Sequence, residues 1–229
     1  MSKSQPFAGH TVLIVGAGSR YGRPLTIALA EAGANIAVAG SSRATDETFA
    51  VASVANELWA LGGRYLTLTM DLQEPSSVVE AIGRTLTEFG KIDLLVNAVE
   101  FDAPTPFAET PDARWEEIIR RNLGGVYLTC KLAGQAMLDQ GRGSIFNVVS
   151  DAVLGRSGSA ALAAAQGGVL ALTRSLAVEW RDRIAVNAVV LEQHESGAAI
   201  ESLVPKLAGT LAERGDSPFG LTGRLFELV

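Results

Sequence analysis

From Val15 to Gly22 the chain reads Val-Gly-Ala-Gly-Ser-Arg-Tyr-Gly, directly after an aliphatic run and directly before a helical pattern. A strand, a glycine-rich turn and a helix start make a device for holding phosphate. Glycines let the backbone approach a pyrophosphate, and the N–H groups of the first helical turn face the anion. Gly16, Gly18, Arg20 and Gly22 are the candidates for that role. The same glycines also suit plain strand-to-helix packing. The second aliphatic run ends in Gly40-Ser41-Ser42-Arg43, with no acidic residue to hold a ribose 2′-hydroxyl. Ser41 and Arg43 suit a 2′-phosphate, which favours NADP over NAD for a dinucleotide bound here. The alternative is a solvated polar turn that caps the next helix. No metal chemistry is expected. His10 and His194 lie far apart, and the single cysteine, Cys130, excludes both a disulfide framework and a cysteine-rich zinc site.

These residues need elements to position them. Short runs rich in Val, Ile and Leu recur at Thr11–Val15, Asn35–Ala39, Tyr65–Met70, Ile92–Asn97, Ser144–Val149 and Ile184–Val190. They do not alternate strictly, as expected of parallel strands buried on both faces. Helix-length segments lie between them at Gly22–Ala32, Thr45–Leu61, Pro75–Phe89, Pro111–Asp139 and Ser159–Arg181. Pro75 and Pro111 fall where a first helical turn tolerates proline, and Thr110 is placed to cap. Strands alternating with helices predict βαβ crossovers and a parallel sheet covered on both faces. The 229 residues are 48% apolar and 19% charged, a globular composition read as one domain over residues 1–229. A net charge of −6 without a basic run argues against nucleic acid as a partner. The N-terminal MSKSQPFAGH has no apolar signal core, and the most apolar stretch, Ala160–Leu172, is too short to span a membrane. A cytoplasmic location is expected.

The ordered series VGAGSRYG, GANIAVAGSSR, MDL, IDLLVN, RRNLGGVYL, GSIFNVVS, GGVLALTRSLAVEW, RIAVNAVV and LTGRL resembles the short-chain dehydrogenase/reductase family from about Gly9 to Val229. The resemblance implies a doubly wound Rossmann sheet of seven strands and a dimer or tetramer. It also implies NAD(P)-dependent oxidation of an alcohol or reduction of a ketone. The family's chemistry uses Asn, Ser, Tyr and Lys. Tyr is the general acid/base, Lys lowers its pKa and holds the ribose, Ser hydrogen-bonds the substrate oxygen, and Asn supports a relay water. Asn122 and Ser150 match the first two. Leu162 and Gln166 stand at the Tyr and Lys positions, and neither Tyr nor Lys occurs between Ser150 and Arg174. Leucine has no titratable proton, and glutamine cannot supply a positive charge. Loss of one positioned acid/base group typically costs ~10²–10⁴ in rate.

Further departures accompany this one. Arg20 replaces the family's middle glycine, Asn97-Ala98-Val99-Glu100 replaces Asn-Asn-Ala-Gly, and Leu191-Glu192 replaces Pro-Gly. The loop between Val190 and a final helix at about Ala199–Glu213 is shorter than the family's substrate lid. Asp71 in MDL matches the residue that contacts adenine, and Asn97 is carried over as a cofactor-loop residue. The two long helices match the family's intersubunit four-helix contact, with Ala160, Ala161, Ala163, Ala164, Ala165 and Gly167-Gly168 as a small-residue surface. LTGRLFELV matches the last strand, a second subunit contact. His194 and Asp151 are weak candidates for a substitute base. Trp59, Trp115 and Trp180 read as packing or interface residues, and Cys130 as a buried thiol.

The expected function is a non-catalytic subunit that assembles with an active paralogue of the family into a hetero-oligomeric NAD(P)-dependent alcohol or hydroxyacyl dehydrogenase. Self-association uses the same helices. The alternatives are an active oxidoreductase working through Ser150, Asn122 and His194, and a dinucleotide-sensing module.

Overall fold

Strand β1 (Thr11–Val15) is buried at every residue, as an aliphatic run must be when helices cover both faces of its sheet. A computed structural model describes residues 5–40, 45–192, 202–208 and 225–227. The chain continues through α1 (Gly22–Glu31), β2 (Asn35–Gly40), α2 (Thr45–Leu61), β3 (Tyr65–Thr69), α3 (Pro75–Phe89) and β4 (Leu94–Asn97). Then come α4 (Asp112–Ile119), α5 (Gly125–Asp139), β5 (Ser144–Ser150), α6 (Ala160–Glu179) and β6 (Ala185–Leu191). All strands pair in parallel, in the order β3-β2-β1-β4-β5-β6-β7, with β7 at Leu225–Glu227. The sheet has the seven strands expected, the last of them short. Strand order reverses between β1 and β4, which opens a crevice at their carboxyl ends.

Alternation along β1 sorts the core into two layers. Val12 and Ile14 pack with Leu25, Leu29, Val54, Leu58, Leu203 and Leu207, under α1, α2 and the helix at 202–208. Leu13 and Val15 pack with Val78, Ile82, Val126, Met137 and Val169, under α3, α5 and α6. Pro75 takes the first turn of α3, and Gly90 ends it at φ 77°, with its N–H donated to the Leu86 carbonyl.

The segment expected as one helix from Pro111 to Asp139 holds a π-helical turn, Arg120–Gly124, between α4 and α5. Pro111 is its N-cap residue. Thr110 does not cap: its hydroxyl donates to the Pro106 carbonyl at 3.2 Å instead. Helix α6 fills most of the expected segment Ser159–Arg181 and extends past the apolar stretch Ala160–Leu172. Its 20 residues make it, among the described residues, the one helix long and apolar enough to cross a membrane. Ala161, Leu162, Ala165, Val169 and Ala177 nevertheless face inward, so α6 sits as a core helix. Ala161 and Ala165 thereby leave the expected intersubunit surface. Trp180 packs over Gly134 and Trp115 meets Phe107 edge-on, whereas Trp59 is 74% exposed and packs little within the chain.

Two glycines are fixed by close approach. Gly16 has φ 80°, and a Cβ there would lie 2.5 Å from the Ala98 carbonyl oxygen. A Cβ on Gly22 would lie 2.0 Å from the Gly16 carbonyl oxygen and 2.9 Å from Ala17 Cα. Both obstacles are backbone, so neither can swing aside. Gly22→Ala is expected to lose about 2 kcal/mol, roughly 4–8 °C in melting temperature for a chain of this size. Gly63→Ala, which meets nothing within 4 Å, serves as the control. Equal melting temperatures for the two variants would show that α1 does not depend on this contact.

Candidate functional site

The crevice between the β1 and β4 ends contains a cavity of about 660 Å³. Gly16, Gly18 and Ser19 line it from the turn, Asp71 and Leu72 from the end of β3, and Val99 and Glu100 from the end of β4. Gly16, Gly18 and Asp71 thus come together as the sequence predicts. Asp71 is largely buried, and its Oδ1 accepts the Gln73 N–H at 2.9 Å. Ser41 and Arg43 lie outside the described residues. Gly22 is not a lining residue; its place under Gly16 gives it the packing role.

The helix start is not the open anion device expected. The Gly22 N–H donates to Ser19 Oγ at 2.9 Å, and the Arg23 N–H donates to the Ser19 carbonyl at 3.2 Å. Pro24 has no N–H at all. The serine hydroxyl in turn donates to the Ala98 carbonyl at 2.7 Å, tying the turn to the end of β4. First-turn donors that would otherwise face a pyrophosphate are spent within the chain.

Asn97 is another correction. Its side chain leaves the cleft: Nδ2 donates to Asn147 Oδ1 at 2.9 Å, and Oδ1 accepts the Thr129 hydroxyl at 2.8 Å. Asn147 Nδ2 passes the chain on to the Thr173 hydroxyl at 2.9 Å. This is a polar seam joining β4 and β5 to α5 and α6. Cys130 borders it, fully buried, with its thiol pushed up to about 12 by burial.

The positions matched to catalysis are all internally engaged. Ser150, at the end of β5, is fully buried; its Oγ donates to Gln166 Oε1 at 2.9 Å, and its N–H reaches the same oxygen at 3.2 Å. Leu162 is fully buried against Ile118, Ala152 and Ala161, with Phe101, Ala103 and Trp115 around them. Asn122 sits in the π turn. Its Oδ1 accepts the Phe101 N–H at 2.9 Å, and its Nδ2 donates to the carbonyls of Phe101 at 2.8 Å and Ile118 at 2.9 Å. The structure brings Ser150 to Gln166, and Leu162 to Ile118, one turn before Asn122. It leaves no titratable group at the Leu162 and Gln166 positions.

Sequence reasoning missed an ionic cluster beside these residues. Arg156 Nη2 lies 2.9 Å from Asp102 Oδ2 and 4.0 Å from Glu100 Oε1, while Nη1 lies 3.5 Å from Asp151. Ser159 Oγ donates to Asp102 Oδ2 at 2.7 Å and accepts from Arg156 Nε at 3.1 Å. Arg20 approaches Glu100 at 3.7 Å. Burial raises the Glu100 carboxyl above the usual carboxylate range; Arg20 and Arg156 pull it down, and Asp102 and Asp151 push it further up. Tyr21 donates its hydroxyl to the Leu191 carbonyl at 3.1 Å, and burial, helped by the Glu100 charge, lifts it to about 12. Asp151, proposed as a substitute base, faces Arg156, and His194 lies outside the described residues. Glu100 in place of a glycine was the one signal of this cluster in the sequence.

Residues 10–202 match the family described as short chain dehydrogenase. The chain is 32% identical over 228 residues to a cis-4-hydroxycyclohexanecarboxylate dehydrogenase from Sinomonas cyclohexanicum, covering 98% of this chain and 88% of that one. It is 31% identical over 182 residues to the (2S)-[(R)-hydroxy(phenyl)methyl]succinyl-CoA dehydrogenase subunit BbsD of Thauera aromatica, covering 77% and 70%. A crystal structure of a short-chain type dehydrogenase/reductase from Mycobacterium marinum superposes with a TM-score of 0.84 at 26% identity, covering 97% and 94%. The chain belongs to the short-chain dehydrogenase/reductase family, whose members are NAD(P)-dependent oxidoreductases.

Glu100 yields a pH test. Its folded carboxyl titrates above its ordinary value of 4.5. As pH rises past 4.5, the unfolded carboxyl ionises while the folded one still holds its proton. Unfolding then releases a proton, so stability falls as pH rises through this window. Glu100→Gln removes that loss. Urea midpoints should therefore favour the variant over wild type by more at pH 7 than at pH 4.5. A difference independent of pH would refute the burial of this charge.

Proposed function

We propose that this chain is a non-catalytic subunit of a hetero-oligomeric NAD(P)-dependent short-chain dehydrogenase, supporting an active paralogue that carries Tyr-x-x-x-Lys. The observation that carries the reading is the Ser150–Gln166 contact. The hydroxyl matched to substrate binding is fully buried and donated to a side chain that stands where the lysine belongs. Leu162, at the tyrosine position, fills the neighbouring space with apolar side chain. Proton transfer to a carbonyl oxygen needs a positioned acid within hydrogen-bond reach, and no such acid stands at these positions.

The assembly half of the proposal rests on surfaces. Helix α6 exposes Ala160, Ala164, Ala171 and Val178, the last 74% accessible, and α5 exposes Tyr127. Small side chains along a helix allow a second helix to approach closely. The Thauera relative is itself named as a dehydrogenase subunit, which favours a subunit role and a hydroxyacyl substrate for the assembled enzyme. A cytoplasmic site of action fits this reading. Bound NAD or NADP would supply or accept a hydride. Here Gly16, Gly18 and Asp71 would hold the adenosine side, and the Ser150 hydroxyl, already donated to Gln166, is not free to donate to the nicotinamide side.

Affinity purification from the native host under mild conditions, followed by native mass spectrometry, tests the proposal. A stoichiometric complex with a Tyr-x-x-x-Lys family member is expected. The isolated chain should show no hydride transfer, and mixing should change the partner's activity or melting temperature. The reading fails if the chain is recovered only with itself. It also fails if the isolated chain oxidises NAD(P)H in a reaction abolished by Ser150→Ala.

A further inference from the structure

We infer that the cleft is a mononucleotide site: it takes a purine nucleotide over β1–β3 and gains no affinity from the second nucleotide of a dinucleotide. A doubly wound sheet binds a dinucleotide across the point of strand reversal, one nucleotide over each half. The two halves of this sheet are unlike. The cavity of about 660 Å³ runs from the ends of β1, β2 and β3 to the loop after β4 and the α4 side. Met70, Leu72 and Val99 give it apolar walls suited to a base, and the Asp71 carboxylate beside them can accept from an exocyclic amine. Arg120 and Arg121 line its α4 side, where phosphate groups would meet guanidinium rather than helix-start amides. The Arg121 guanidinium carbon lies over the Phe101 ring, 3.6 Å from its centroid, with Nη1 3.6 Å from Glu117.

Over β4–β6 most of the polar groups have found partners, although Glu100 Oε2 is buried without a hydrogen bond among the described residues. Ser150 is engaged by Gln166, Asn122 by Phe101 and Ile118, the Leu191 carbonyl by Tyr21, and Asp102 by Arg156 and Ser159. A second cavity, about 580 Å³, remains there, lined by Arg20, Glu100, Asp102 and Arg156 among others. It shares only Ser19 and Glu100 with the first. The Arg20–Glu100 pair stands at that shared boundary. A nicotinamide nucleotide would have to part this pair and then bring its phosphate toward Glu100, Asp102 and Asp151, three carboxylates facing two guanidinium groups. Leaving the buried Glu100 carboxylate without the half-exposed Arg20 offsets what the added contacts would contribute.

The inference goes beyond the subunit reading and is measured on the isolated full chain without a partner, so either can fail alone. Titration calorimetry compares ADP with NAD⁺, and adenosine 2′,5′-bisphosphate with NADP⁺, which also allows for a 2′-phosphate preference. In the better-bound pair, the two dissociation constants are expected to agree within about threefold. Asp71→Asn should weaken the mononucleotide at least tenfold, placing it in the first cavity. Arg20→Gly/Glu100→Gly should raise the affinity for the dinucleotide relative to its mononucleotide at least tenfold; Arg20→Ala alone replaces it if circular dichroism shows the double variant unfolded. A wild-type chain that binds a dinucleotide tenfold or more above its mononucleotide overturns the inference. So does a chain that binds none of the four at millimolar concentration. A reopened variant with an unchanged ratio overturns the role given to the Arg20–Glu100 pair.

Discussion

The turn that ends β1 lies so close to the end of β4 that no side chain fits between them. A Cβ on Gly16 would stand 2.5 Å from the Ala98 carbonyl oxygen, and Ser19 clamps that same carbonyl with its hydroxyl at 2.7 Å. Gly22 repeats the constraint one layer out, against Gly16 itself. This stacked backbone contact places α1, sets the mouth of the crevice and brings Arg20 and Glu100 within reach of each other. It is a packing requirement, so it persists whether or not a cofactor is bound. A glycine-rich turn is therefore weaker evidence for phosphate binding here than its spelling suggests. The residue that keeps the turn closed, Ser19, is also the one that consumes the first-turn donors.

A second constraint explains the side chains behind the turn. Buried polar groups left without partners cost about 1–3 kcal/mol each. Ser150 and Asn122 sit in the interior regardless of chemistry, because β5 and the π turn put them there. Gln166 meets the requirement for Ser150 with one carbonyl oxygen that accepts both its N–H and its hydroxyl. Asn122 meets its own by pinning the Phe101 segment to α4. Leucine at 162 suits an apolar environment already built from Ile118, Ala152 and Trp115. The Ser150 hydroxyl and the Asn122 amide are thus both partnered within the chain.

Much of this was legible in the chain itself. The aliphatic runs marked β1, β2, β5 and β6 to within a residue at either end, because burial on both faces leaves little freedom in composition. Asn97 was misplaced for want of a parity argument. Side chains alternate along β4, so Asn97 shares the face of Leu95, which packs in the layer under α3, α5 and α6, and not the cleft. Thr110 looked like a cap because threonine is a good one; the chain used its hydroxyl on Pro106 instead. Beyond Glu100 the ionic cluster was invisible, since Asp102 and Arg156 are 54 positions apart and only the fold brings them to 2.9 Å. Such pairs carry no periodicity for a sequence to display.

The cluster and the packing of Ser150, Leu162 and Gln166 belong to one physical account. Charges drawn from water remain in a fold only when opposite charges or hydrogen bonds compensate them, and removing one partner exposes the others. Arg156 is shared among Asp102, Glu100 and Asp151, and Arg20 adds a second cation beside Glu100. Glu100 remains the worst solvated member, with one carboxyl oxygen buried and unpartnered among the described residues. That is why burial dominates its titration despite two neighbouring guanidinium groups. A site organised this way resists opening: any polar ligand entering it must supply better partners than the side chains already give one another. On the β1–β3 side the pairing is sparser among the described residues, with Arg121 near Glu117 at 3.6 Å and Asp71 accepting from Gln73, and the asymmetry of the cleft follows from that difference in degree.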